Sequence, residues 1–93
     1  MSKSNYQVVI KKSALKDLKN LKRANLLSQF IKVKEQLEED PYKPNQRFEK
    51  LVPYSEGRYS RRINIQHRVV YRINDKDPDK KVVEIYSAWS HYE

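Results

Sequence analysis

The chain has 93 residues, a formal net charge of +8, 38% hydrophobic and 34% charged residues. That length gives one domain spanning 1–93, and seven Tyr, two Phe and one Trp supply more bulky packing than a disordered basic tail would carry. The absence of Cys excludes a disulfide framework and a thiolate metal site, and a single Gly excludes a glycine-rich phosphate loop.

A positive field of this size favours a polyanionic partner such as RNA, DNA, a ribosome or an acidic protein. The first five residues lack an apolar signal core, and no apolar run approaches the ~20 residues of a membrane-spanning helix. The expectation is a cytoplasmic protein with no membrane partner.

Residues 6–10 are rich in β-formers and predict a short strand. Ser13 then caps a helix, with Asp17 in its first turns and Ala14, Leu15, Leu18 and Leu21 at helical spacing. A break near residues 23–25 precedes a second helix over about 25–39, with Leu26, Phe30, Val33 and Leu37 in one stripe. Pro41 ends it, because proline disfavours helix in the residue before it. Residues 41–53 read as a loop carrying Phe48-Glu49-Lys50-Leu51. A hairpin follows, with strands at 58–63 and 68–73 about a turn at 64–67. A polar turn at 74–80 leads to a last strand at 82–89. The order predicts an α+β fold of βααβββ topology, with two N-terminal helices packed on one face of a mainly antiparallel sheet.

On the second hairpin strand the period of two separates Val69, Tyr71 and Ile73 from Arg68, Val70 and Arg72. One face suits a core. The other presents guanidinium groups, whose planar forks match phosphate oxygens. A solvated, salt-bridged sheet face is the plainer reading of the same residues. Arg61 and Arg62 alternate across their strand, so only one of them faces outward.

The combination of SRRINIQHRVVY with a final SAWSHYE, the FEKL segment and the βααβββ order resembles the YoeB/Txe toxins of the RelE/ParE superfamily, over nearly the whole chain. That resemblance implies the toxin of a type II toxin–antitoxin system: an mRNA interferase that cuts mRNA in the A site of the 70S ribosome, without a metal or other cofactor. It implies catalytic roles for Glu49, Arg68, His91 and Tyr92; beside them, the basic residues Arg61, Arg62 and Lys50 are the candidate RNA-binding residues. It implies a YefM-like antitoxin, promoter DNA as a partner only of the toxin–antitoxin complex, and leaves monomer and homodimer both open. Two departures stand out: Gln66 replaces a carboxylate that some relatives carry before the His-Arg pair, and Glu93 follows Tyr92.

RNA carries its own nucleophile, the 2′-OH. A carboxylate, a guanidinium and an imidazole can remove its proton, stabilise charge on phosphorus and protonate the leaving oxygen. Under the resemblance Glu49 is the base, Arg68 the phosphate ligand and His91 the acid, while Tyr92 stacks on a base or orients the phosphate. Without it, Glu49 is a surface carboxylate paired with Arg47 or Lys50, and Arg68 is half of a cross-strand ion pair. His91 is then an idle terminal residue and Tyr92 an anchor for the last strand. His67 suits a structural hydrogen bond and Trp89 the core. A ParE-like gyrase poison and a plain RNA-binding domain are the competing functions.

Overall fold

The computed structural model describes residues 5–89. The elements are β1 (Gln7–Ile10), α1 (Lys12–Arg23), α2 (Leu27–Glu39), β2 (Glu49–Lys50), β3 (Arg58–Arg62), β4 (Arg68–Asn74) and β5 (Val82–Ser87), with a 3₁₀ turn at Tyr54–Glu56. The strands form one sheet in the order β1-β5-β4-β3-β2. β1 runs parallel to β5, and the other neighbours are antiparallel. This is the expected α+β arrangement of two helices on a mainly antiparallel sheet, with β2 added. Two residues carry no legible period, so β2 is hidden in a sequence that reads as loop.

Each helix buries one stripe. Ala14, Asp17 and Leu21 face inward from α1, and Phe30, Val33 and Leu37 from α2, at the three- and four-residue steps of an amphipathic helix. They meet Val69 and Tyr71 of β4 and Val83 and Ile85 of β5, all fully buried. Each large apolar side chain so enclosed contributes about 1.5–3 kcal/mol.

Ser13 does not cap α1. Lys11 holds the N-cap position without a side-chain bond, and the Ser13 hydroxyl donates to Tyr86 O at 2.7 Å, fastening the helix to β5. Asp17 is likewise claimed by tertiary structure: its buried Oδ2 accepts the Ala88 N–H at 3.1 Å. The break between helices falls on Asn25, whose φ of 59° lies in the left-handed region that Asn tolerates. The acidic end of α2 is offset by the Lys34–Glu38 ion pair at 2.6 Å.

β4 and β5 are joined through a bulge. Val70 pairs with Ser87 and Tyr71 with Ile85, so Tyr86 is the extra residue. Such an insertion re-aims a side chain. Tyr86 comes to lie beside Arg72 on the side of the sheet away from the helices.

Candidate nucleic-acid interface

Directly paired residues of antiparallel strands point to the same face. The face opposite the helices therefore carries three cross-strand rows: Arg62 with Arg68; Glu49, Ser60, Val70 and Ser87; and Arg58, Arg72 and Glu84. Two of these rows set arginine against arginine, an arrangement that destabilises a sheet rather than supporting it. Among the described residues the side-chain ion pairs are Lys34–Glu38 and Glu56–Arg58 at 3.1 Å. Arg62, Arg68 and Arg72 thus form none with a described residue. Arg62 Nη1 donates to Ile65 O at 3.3 Å, and Glu84 accepts from the Tyr86 hydroxyl at 3.0 Å. The cross-strand ion pair expected as the plain reading of Arg68 is replaced by a like charge.

Glu49 enters this face from the edge. Its pairing with Ser60 turns it outward, two strands from β4 and one two-residue step from the Arg62–Arg68 row. Two inter-strand spacings and that two-residue step separate the Glu49 and Arg68 backbones by about 12 Å, within the combined reach of a Glu and an Arg side chain around one linkage. Among the described residues Glu49 is exposed and forms no ion pair with Arg47 or Lys50.

The segment leading to Glu49 is held in an unusual shape. Gln46 and Arg47 both have φ of 54°, consecutive left-handed residues that are not glycine. Such backbone persists only when its surroundings over-determine it. Arg61 supplies much of that constraint. Its Nη1 donates to Asn45 O at 2.9 Å and Asn45 Oδ1 at 2.7 Å, its Nη2 to Lys43 O at 2.7 Å, and its Nε to the Tyr71 hydroxyl at 3.1 Å. The Tyr71 hydroxyl in turn donates to Pro41 O at 2.9 Å. The Arg61 guanidinium lies 4.8 Å from the centre of the Phe48 ring, and Phe48 stacks on Tyr59 at 5.5 Å. Phe48 inward and Glu49 outward follow from the strand period.

Arg61, expected to bind RNA, is therefore turned away from the open face. It is 0% exposed and its donors are spent on loop carbonyls. The alternation of Arg61 and Arg62 holds, with Arg62 the outward member. Lys50 is also displaced from the arginine face: it pairs with Tyr59, on the helix side, and its ammonium lies 5.6 Å from the Tyr54 ring and 5.7 Å from the Tyr59 ring.

His67, immediately before Arg68, is 4% exposed, and its ring stacks on Trp89 with centroids 3.8 Å apart. Its carbonyl accepts from Ile63 N at 2.9 Å and its N–H donates to Asn64 Oδ1 at 2.7 Å, which closes the hairpin turn. Trp89 is partly buried against the core. His91 and Tyr92 lie outside the described residues. Sequence reasoning did not single out Arg58 or Tyr86, nor Asp17 as the anchor of Ala88. The first was legible in the hairpin register; the bulge and the helix contact were not.

No group of three His, Cys, Asp or Glu among the described residues is placed to hold a metal ion, and no helix is long and apolar enough to cross a membrane.

A family model described as the YoeB-like toxin of bacterial type II toxin–antitoxin systems matches residues 10–92. The fold is similar to that of a YoeB/ParE toxin from Agrobacterium tumefaciens, at a TM-score of 0.79 and 24% identity over 92% of this chain and 99% of that one. It is similar to a chain of the YoeB–YefM complex from Staphylococcus aureus, at 0.74 and 26% over 94% and 98%. It is also similar to a chain of the archaeal RelE–RelB complex from Pyrococcus horikoshii, at 0.69 and 31% over 91% and 93%. Among curated proteins nothing matches.

Proposed function

Because the chain belongs to the YoeB-like toxins of bacterial type II toxin–antitoxin systems, we propose that its open sheet face is an endoribonuclease site that cuts mRNA in the ribosomal A site and so arrests translation. The observation that carries this reading is the placement of Glu49 and Arg68 on one face, neither of them engaged in an ion pair among the described residues.

Glu49 takes the proton of the 2′-OH, and the 2′-oxygen attacks the adjacent phosphorus. Arg68, with Arg62 beside it, holds the phosphate oxygens as negative charge grows on them. The P–O5′ bond breaks, leaving a 2′,3′-cyclic phosphate, and the departing 5′-oxygen takes a proton from His91. The histidine suits that role because its ordinary pKa, near ~6.5, makes both protonation states accessible at neutral pH. Trp89, two residues before His91, is stacked on the residue that precedes Arg68, which supports this assignment. Tyr92 orients the phosphate or stacks on a base.

The exposed lysines of α1, at Lys12, Lys16, Lys19 and Lys22, lie on the helical side and dock on ribosomal RNA backbone, separating binding to the particle from chemistry on the message. A YefM-like antitoxin neutralises the protein by laying an acidic segment, ordered on binding, over the face bearing Arg68 and Glu49. Together they bind their own promoter DNA. The site of action is the cytoplasm.

Mapping transcript ends in a cell-free translation reaction, with and without ribosomes, tests the reading. Discrete cuts inside reading frames that require ribosomes are expected. Changes in DNA supercoiling without RNA cuts would replace it with gyrase poisoning, and salt-dependent RNA binding without cuts would leave only a binding domain.

A further inference from the structure

We infer that Arg58, Arg72 and Tyr86 form a second subsite for single-stranded RNA, taking a phosphate and its neighbouring base outside the linkage held at Arg68. This rests on the nuclease reading for its physiological ligand, and on geometry for its existence.

Arg58 and Arg72 are directly paired across β3 and β4, four residues along each strand from Arg62 and Arg68. Four strand residues span about 13 Å, too far for one phosphate group to touch both pairs. The two pairs are nonetheless connected. A single open cavity takes in Arg58, Arg68, Arg72 and Tyr86, with Glu56 also in its lining, so a chain leaving Arg68 runs along its floor toward Arg72. The floor between the pairs, Val70 and Ser87, carries no charge, and the row that holds them ends in Glu49 at the β2 edge.

The Arg58–Arg72 pair is built as a receiver rather than as a sheet support. Arg58 Nη2 donates to Val52 O at 3.1 Å, which pins the guanidinium. Its Nε is buried, 3.1 Å from Glu56 Oε1 but out of line for a hydrogen bond with it. Glu56 is exposed at the rim and is displaceable by a better-aligned anion. The Arg72 guanidinium lies 5.4 Å from the centre of the Tyr86 ring, and the Tyr86 hydroxyl is tied to Glu84. A bulge residue has placed an aromatic ring beside a cationic pair, the combination with which single-stranded nucleic acid is gripped: guanidinium on phosphate, ring on base.

The test uses a fluorescently labelled single-stranded oligoribonucleotide, bound at low salt to the full chain carrying Glu49→Gln. One neutral methylphosphonate linkage is moved stepwise along it. Two positions are expected at which neutralisation weakens binding, each by about tenfold, as for loss of a charge-assisted hydrogen bond. In the double variant Arg58→Gln, Arg72→Gln the outer position becomes insensitive and the inner one does not. The slope of log K against log salt flattens by about 0.7, one phosphate's share for a single strand. Tyr86→Ala weakens binding about tenfold with a base present at the outer position, and by less when that nucleotide is abasic. Arg72→Lys, which keeps the charge and loses the fork, retains the salt slope and loses part of the affinity.

Only one sensitive position, two that both survive the double variant, or no binding at low salt would overturn the subsite. Cleavage by the unmodified chain on programmed ribosomes is measured in parallel. Two sensitive positions without cleavage sink the nuclease reading and leave the subsite standing; cleavage with one position does the reverse.

Discussion

Arg62 and Arg68 face each other directly across β3 and β4, and no carboxylate among the described residues forms an ion pair with either. A cross-strand pair of like charges works against the sheet by roughly 0.2–1 kcal/mol. Replacing Arg68 with Gln is therefore expected to leave stability unchanged or raise it slightly, while ribosome-dependent cleavage falls by about 10²–10³, the cost of removing one transition-state ligand. Urea midpoints together with primer extension on translated mRNA read both quantities. A variant that loses stability along with activity would make Arg68 a structural residue.

Glu49 is exposed on a two-residue edge strand and carries no ion pair among the described residues. Glu49→Gln is expected to stay within about 0.5 kcal/mol of the parent in stability. Cleavage should fall by about 10²–10⁴ through loss of the base. Retention of full toxicity in cells would remove Glu49 from the chemistry.

Arg61 makes the opposite prediction to Arg62. Its guanidinium is enclosed by Asn45, Lys43 and Tyr71 and lies over Phe48. Arg61→Ala strands several acceptors in a dry site and is expected to cost about 3–5 kcal/mol in all, at about 1–3 kcal/mol for each buried group left unsatisfied. Tyr71→Phe removes one hydroxyl that links Arg61 to Pro41 and is expected to cost about 1–3 kcal/mol. Arg62→Ala should leave the unfolding midpoint near the parent's. Denaturant titration of the three variants separates them.

Alkaline pH should weaken the fold through its tyrosines, above all the fully buried Tyr71. Burial raises Tyr42 above the ordinary tyrosine range, and its hydrogen bond to Asp75 raises it further. Burial also raises Tyr71, Tyr6 and Tyr86, partly opposed at Tyr71 by the Arg61 charge. A group whose pKa is raised by folding stabilises the fold fully below its unfolded value, near ~10, and loses that contribution as pH climbs through the folded value. Phenolate absorbance followed with pH should therefore show part of the tyrosine signal lagging and then appearing together with loss of the fold. Tyr42→Phe should flatten the pH dependence. Normal ionisation of every tyrosine in the folded protein would contradict the tight Asp75 contact.

The two faces of β4 were legible in the sequence. The period of two assigned Val69 and Tyr71 to the core and Arg68 and Arg72 to the open side, because strand side chains alternate strictly. The same rule made Arg61 and Arg62 face oppositely, but it could not say which guanidinium went inward. That was decided by the loop before β2, whose carbonyls at Asn45 and Lys43 can satisfy a buried cation only because the chain folds back over β3.

Local pattern thus determined the elements, the buried stripe of each helix and the sign of the exposed sheet face, since each depends on neighbours within a few residues. Tertiary structure alone decided which arginine is a clamp, that Lys50 leaves the site, and that a two-residue edge strand carries Glu49 onto the arginine face. It also decided that a bulge sets Tyr86 beside Arg72. Those outcomes turn on register and on acceptors supplied from distant segments, and hydrogen bonds of that kind leave no periodic trace in the order of residues.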